Sequence, residues 1–208
     1  AYGLDDSSYS VHATFLDYDR DGDLDLFLLT NIINKINKSV IIDRRLRPNQ
    51  GRNADKLFEN NFDAVKGHPV FTDVSQQAGI VHEGYGLGVA VDDINRDGWP
   101  DVYVANDFMD SDNLYINQQD GPDGYPTFED EADRYFRHQS LNSMGVDVAD
   151  VNNDQLPDIA VLDMLPPDNY RRKMMLTPLN EDNETKKLQS GYSRQYIRNT
   201  LHLHQGER

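Results

Sequence analysis

One nine-residue pattern occurs three times in this chain, and in each copy oxygen-bearing side chains alternate with other residues. The first copy carries Asp17, Asp19, Asp21, Asp23 and Asp25, the second Asp93, Asn95, Asp97 and Asp101, and the third Asp150, Asn152, Asp154 and Asp158. That spacing lets a short loop close round a hard cation. Ca2+ takes about 6–8 oxygens, which a chain can supply from side chains at positions 1, 3 and 5, a backbone carbonyl at 7 and a carboxylate at 9. The position-7 carbonyls are then those of Asp23, Trp99 and Leu156. Position 6 must turn sharply, and Gly22 and Gly98 reach positive φ without strain. Gln155 does not, so the third loop is expected to bind most weakly. The first, with a fifth carboxylate at Asp23, is expected to bind most tightly.

These loops are not EF-hands. That motif needs a bidentate Glu at position 12 and a helix on each side, whereas position 12 holds Leu28, Val104 and Val161. The flanks are rich in β-branched and aromatic residues and predict strands. Ala13 to Leu16 and Gly88 to Val91 lead in; Leu26 to Leu29, Val102 to Ala105 and Ile159 to Leu162 lead out.

A second element recurs with the loops. Asn113-Leu-Tyr-Ile-Asn117 followed by Thr127-Phe-Glu-Asp130 echoes Lys56-Leu-Phe-Glu-Asn60 followed by Val70-Phe-Thr-Asp73, and Asn199-Thr-Leu-His-Leu203 opens a further copy. Each unit reads strand, turn, strand, a short link with Ala78-Gly79, strand, acidic loop, strand. Four strands per unit, repeated, are the sequence form of a β-propeller blade.

With these motifs the chain resembles the FG-GAP or VCBS-type repeats of calcium-binding β-propellers, found in integrin α-subunit heads and in exported bacterial proteins. The likeness is strongest to bacterial proteins carrying an ASPIC/UnbV-type C-terminal domain. It covers about residues 10–30, 55–165 and 199–206. The resemblance implies all-β, four-stranded antiparallel blades, with each calcium loop between the first two strands of a blade. It also implies about seven blades in a closed propeller. Over residues 1–208 the chain holds about three, so a partial propeller, a piece of a longer protein, is expected. Two insertions, about residues 31–55 and 166–198, and Gln155 depart from the family pattern.

Formal net charge is −16, from 36 acidic and 20 basic residues. Much of that excess sits in the loops, where a cation would neutralise it. Nucleic acid is excluded as an expected partner, because phosphate binding depends on basic patches. Cysteine is absent, so neither disulfides nor thiol chemistry is available. The apolar run Leu26 to Leu29 is far below the roughly 20 residues of a spanning helix. Oxygen-only calcium loops often have affinities suited to extracellular concentrations, and the resembled family is exported, so an extracellular or cell-surface location is expected.

The insertions contrast with the loops in charge. The first carries Lys35, Lys38, Arg44, Arg45, Arg47 and Arg52 beside Val40-Ile-Ile42; the second carries Arg171, Arg172, Lys173, Lys186 and Lys187. They read either as a partner-docking surface or as solvated excursions packed on neighbouring blades. Residues 180–189 have helix-compatible, mostly polar composition and are expected to form an exposed helix. His202 and His204 alternate and are expected to face solvent rather than a metal. Asn37-Lys-Ser39 and Asn183-Glu-Thr185 match the N-glycosylation triplet. The Trp99 ring is expected to pack on the loop or a neighbouring blade. No nucleophile with a paired base and no phosphate-binding glycine loop is present. The sequence therefore points to a non-enzymatic calcium-stabilised module that binds proteins or glycans at the cell envelope. The alternative is a portion of a propeller enzyme such as a polysaccharide lyase. A calcium sensor is disfavoured, since rigid hairpin loops offer no helix pair to open.

Overall fold

The computed structural model describes residues 2–31, 54–107, 110–121, 124–175 and 181–206. The first sheet is a meander of β1 (Ser10–Leu16), β2 (Asp25–Thr30), β3 (Lys56–Asp63) and β4 (His68–Asp73), antiparallel throughout. The second repeats it with β5 (Gly86–Asp92), β6 (Asp101–Asn106), β7 (Asn113–Asn117) and β8 (Phe128–Asp130). A short helix, α1 (Ala132–Tyr135), and strand β9 (Gln139–Ser140) lead to the third sheet. That sheet begins with β10 (Ser143–Ala149) and β11 (Asp158–Asp163). After helices α2 (Asn169–Met175) and α3 (Glu181–Gln189) and strand β12 (Gln195–Tyr196), it is completed by β13 (Thr200–His202). Strand β12 pairs in parallel with β9, tying the second insertion back to the chain just before the third sheet.

The fold is all-β and blade-like, with each acidic loop joining the first two strands of its sheet. The unit read from the sequence, starting at the third strand, is offset by two strands; the sheets group in the register the resemblance implies. Every strand expected beside a loop forms. First strands share a further irregularity: the register slips between Ser10 and His12, between Gly86 and Gly88, and between Ser143 and Gly145. Each first strand thus carries one extra residue at the same place, at its end away from the loop, in the manner of a β-bulge.

The first strands also meet one another. Strand β5 packs against β1 on one side and β10 on the other, which sets the three acidic loops in a row at one end of the stacked sheets. The middle sheet is covered on both faces, so all six residues of β6 and all five of β7 are buried. Strand side chains alternate between faces. Val102 and Val104 therefore join Phe27, Leu29 and Leu57 in one core, while Tyr103 and Ala105 join Ile159 and Val161 in another. Such strands read as continuous apolar runs, as central strands covered on both sides do. Each fully buried aliphatic or aromatic side chain contributes about 1.5–3 kcal/mol.

Links between sheets follow the repeat as well. Phe128 N–H donates to Ala78 O at 2.7 Å, and Phe71 N–H donates to Tyr2 O at 2.7 Å. Gly79 and Gly3, both at positive φ, lie against the carbonyls of Phe128 and Phe71, where a Cβ would clash. The small residue noted in the link is thus required by the close approach of the chain to the outermost strand.

Residues 32–53, which hold nearly all of the first insertion with Lys35, Lys38, Arg44, Arg45, Arg47 and Arg52, lie outside the described residues, as do the side chains of Asn37, Arg172 and Asn183. In the second insertion α3 forms as expected. Its exposure is not uniform: Lys187 is 5% exposed, and its Nζ donates to Gln195 Oε1 at 2.6 Å. Lys187 therefore anchors α3 inward, while Arg171, Lys173 and Lys186 face solvent. The reading of a solvent-facing histidine pair is corrected. The His202 ring packs 4.5 Å from Phe136 and 5.9 Å from His138, and burial lowers its pKa to about 4. His204 lies beyond the strand, where Nδ1 accepts the Gly206 N–H at 3.0 Å.

Candidate metal centre

The three loops share one hydrogen-bond plan. The position-1 carboxylate accepts the position-6 N–H: Gly22 to Asp17 Oδ2 at 3.2 Å, Gly98 to Asp93 Oδ2 at 2.9 Å, Gln155 to Asp150 Oδ2 at 2.9 Å. Position 3 accepts the N–H of position 5, from Asp21 to Asp19 at 3.2 Å, Asp97 to Asn95 at 3.0 Å and Asp154 to Asn152 at 2.9 Å. Position 5 accepts the N–H of position 7, from Asp23, Trp99 and Leu156 at 2.8, 2.9 and 2.9 Å. These bonds hold the side chains of positions 1, 3 and 5 against the backbone of their own loop. Two backbone positions make the winding possible. Position 6 is at φ 95°, 89° and 68° in Gly22, Gly98 and Gln155, and position 4 at 60°, 62° and 63° in Arg20, Arg96 and Asn153. Gln155 adopts the left-handed turn without being glycine, at a strain of about 1–2 kcal/mol.

Position 9 does two things at once. Asp25, Asp101 and Asp158 are each no more than 1% exposed. One oxygen of each accepts the position-2 N–H, from Tyr18 at 3.1 Å, Ile94 at 2.9 Å and Val151 at 3.1 Å. The other accepts an N–H from the third strand or just past it: from Asn60 within β3, Asn117 at the end of β7 and His204 after β13, each at 2.8 Å. This carboxylate therefore closes the loop and pins it to its sheet. Burial pushes the Asp25 and Asp101 carboxyls up to about 7, against the pull of those N–H donors.

The residues fit a hard cation, and the first loop fits best. Ligand oxygens of Asp17, Asp19 and Asp21 lie within 4.8 Å of one another. Asp17 Oδ1 is buried without a hydrogen-bond partner, a costly state for a carboxylate oxygen unless something else meets it. The Asp19 carboxyl is raised by burial and by the neighbouring charges of Asp21, Glu59 and Asp17. A divalent ion would relieve that repulsion. The other loops carry an amide at position 3 that partly meets the need: Asn95 Nδ2 donates to Asp97 at 2.8 Å and Asn152 Nδ2 to Asp154 at 2.9 Å. The first loop, with carboxylates only, has no such internal donor.

Trp99 packs rather than projecting: the Arg20 guanidinium of the first loop lies 5.3 Å from its ring centroid. Asp23 is exposed, so its side chain stands off the turn while its backbone stays at position 7.

Sequence reasoning missed a second repeated side-chain acceptor, at the far end of each sheet. Asp55 Oδ1 accepts the Thr30 N–H, Asp112 Oδ1 the Asn106 N–H, and Asn199 Oδ1 the Asp163 N–H, each at 2.8 Å. Each brace stands immediately before the third strand and caps the end of the second. Burial raises both acids to about 7. The third copy uses a neutral amide in the same place. The signal was in the alignment of Asp55-Lys-Leu, Asp112-Asn-Leu and Asn199-Thr-Leu.

Residues 93–161, from the first ligand of the second loop to the middle of β11, match the family model described as FG-GAP-like repeat. The matched stretch holds the second and third acidic loops with the strands between them, so the blade-like sheets and acidic loops there have the form of FG-GAP-like repeats. No curated protein matches the chain.

Proposed function

We propose that the chain is a calcium-stabilised, propeller-like module exposed at the cell surface, where it binds proteins or glycans as part of a larger envelope protein. The observation that carries the metal reading is the unpartnered, buried Asp17 Oδ1 within a group of three converging carboxylates. Hydrogen bonds alone hold the second and third loops in the same winding, so the metal would add stability most where the acids are least compensated. Asp17, Asp19, Asp21, the Asp23 carbonyl and Asp25 would hold the ion in the first loop. Asp93, Asn95, Asp97, the Trp99 carbonyl and Asp101 would do so in the second, and Asp150, Asn152, Asp154, the Leu156 carbonyl and Asp158 in the third. Bound there, Ca2+ supplies charge neutralisation and a rigid loop, not a reaction.

Placement outside the cell rests on the match between oxygen-only loops and extracellular calcium levels. Among the described residues no helix is long and apolar enough to cross a membrane. Thermal melting tests the metal reading: millimolar Ca2+ should raise the melting temperature over excess EDTA, since a ligand of the native state alone stabilises it by mass action. Coincident curves would refute it. Mg2+ should substitute poorly, because it demands a tighter octahedral shell.

A further inference from the structure

The first and second loops are joined in a way that the second and third are not. Tyr18, at position 2 of the first loop, gives its N–H to Asp25 and accepts Asn117 Nδ2 on its carbonyl at 2.9 Å. Asn117 in turn gives its backbone N–H to Asp101, the closing carboxylate of the second loop, at 2.8 Å. Its Oδ1 accepts the Gln119 N–H at 2.9 Å, and Gln119 Nε2 donates to Asp97, position 5 of the second loop, at 2.9 Å. A second link runs over the surface. Arg20, at position 4 of the first loop, lies over the ring of Trp99, whose carbonyl is at position 7 of the second.

At the next junction the corresponding residues make no such links among the described residues. His204 stands where Asn117 does and gives its N–H to Asp158, while its Nδ1 accepts the Gly206 N–H within its own turn. Leu156 stands where Trp99 does and has no ring face for Arg96. The contrast is internal to one chain.

We propose that the first two loops form one coupled pair of cation sites, with Asn117 and Arg20 as positioning residues, and that the third loop binds independently. The inference rests on the metal reading above. An ion in the first loop fixes the Tyr18 carbonyl and the left-handed Arg20 backbone. Both hold Asn117 and Trp99 where the second loop needs them. The second ion then finds its ligands already ordered and binds with less loss of conformational freedom, which is positive cooperativity without a large structural change. Linkage makes the effect reciprocal, and coupling of this kind is worth about 5–150-fold in affinity.

Trp99 is the only tryptophan and belongs to the second loop, so its emission reads that site, while heat gives the midpoints independently of the Arg20 contact with its ring. The whole chain would be titrated with Ca2+, following Trp99 emission and heat in parallel. The loops are disabled separately: Asp19→Asn with Asp21→Asn in the first, Asp150→Asn with Asp154→Asn in the third. Disabling the first loop should raise the calcium midpoint of the Trp99 signal about tenfold, within the usual range of such coupling. Disabling the third should move it less than about twofold. In an Arg20→Gln, Asn117→Ser background, disabling the first loop should cause no further shift. Arg20→Gln alone, which leaves the buried Asn117 bond in place, should lose part of the coupling and carries the test if the double variant does not fold. Equal midpoints with and without the first loop, equal shifts from the first and third, a shift undiminished in Arg20→Gln, or one that persists in the double variant would overturn the proposal. An unaltered chain that takes up no calcium heat at all would instead refute the metal reading, and is recognised before any variant is made.

Discussion

Replacing Asp112 by Asn should remove part of the pH dependence of this fold. The Asp112 carboxyl is fully enclosed and accepts from Tyr103 Oη at 2.7 Å, Ser143 Oγ at 3.0 Å and the Asn106 N–H at 2.8 Å. Burial still outweighs those donors and raises its pKa from 3.8 to about 7. Between those two values the folded chain keeps a proton that the unfolded chain has lost. Stability therefore falls as pH rises from about 4 to about 7, and the full cost is present above 7. At about 1.4 kcal/mol per unit, the two units between pH 5 and the folded pKa amount to at most about 3 kcal/mol. The amide has no such titration, and Asn199 already fills the equivalent place in the third sheet. Any loss from turning the Tyr103 and Ser143 hydroxyls toward an NH2 group is the same at every pH. The variant should thus gain up to about 3 kcal/mol on the unaltered chain between pH 5 and pH 8. For about 200 residues that is roughly 6–12 °C in relative melting temperature. Melts at both pH values, in saturating Ca2+ so that the loops are alike in both proteins, would show it. A difference that stays constant or shrinks from pH 5 to pH 8 would refute the assignment of a buried, proton-holding Asp112.

His202 should act with the opposite sign. Burial, helped by the charges of His138 and Arg198, lowers its pKa from 6.5 to about 4. The unfolded chain thus binds the proton first, and stability is lost as pH falls from about 6.5 to about 4. His202→Phe keeps the ring against Phe136 and should flatten that loss by on the order of 2 kcal/mol, allowing for partial exposure; an unchanged acid limb of the stability curve would contradict it. Gln155→Gly relieves a left-handed residue but loosens the unfolded chain, so the net gain should be small, up to about 1 kcal/mol in the presence of Ca2+. A destabilised variant would mean that the Gln155 side chain holds the loop. Among the sites, Asp21→Ala should cost more calcium-linked stability than Asp154→Ala, because the first loop lacks the amide that Asn152 supplies; the reverse order would sink the ranking.

Most of the fold was legible because two signals coincide at each sheet. The alternating carboxylates fix where a loop must wind, and the runs on either side, such as Val102 to Ala105, can only be strands covered on both faces. Asn113 to Asn117 forms a strand with the bounds the repeat predicts. What stayed hidden depends on contacts distant in sequence. Lys187 has the composition of a solvated helix yet turns inward to Gln195, and His202 looks like one of an exposed pair yet meets Phe136 from another segment. Left-handed Arg20 and Arg96 carry no mark in the sequence, since the winding of the loop imposes the conformation; only Asn153 is of a type that visits it readily. The double role of position 9 was half legible: its chemistry suits a cation, but its bond to Asn117 depends on how the third strand registers against the second.

The central claim is that three loops of this chain hold calcium, and crystals grown in millimolar Ca2+ and measured at long wavelength test it most directly. The account predicts anomalous peaks inside the 17–25, 93–101 and 150–158 loops, with carboxylate and amide oxygens of positions 1, 3 and 5 at about 2.3–2.6 Å from each. The strongest peak should lie at Asp17, Asp19 and Asp21. Loops with the same winding but no peak, or with water alone between the carboxylates, would contradict it.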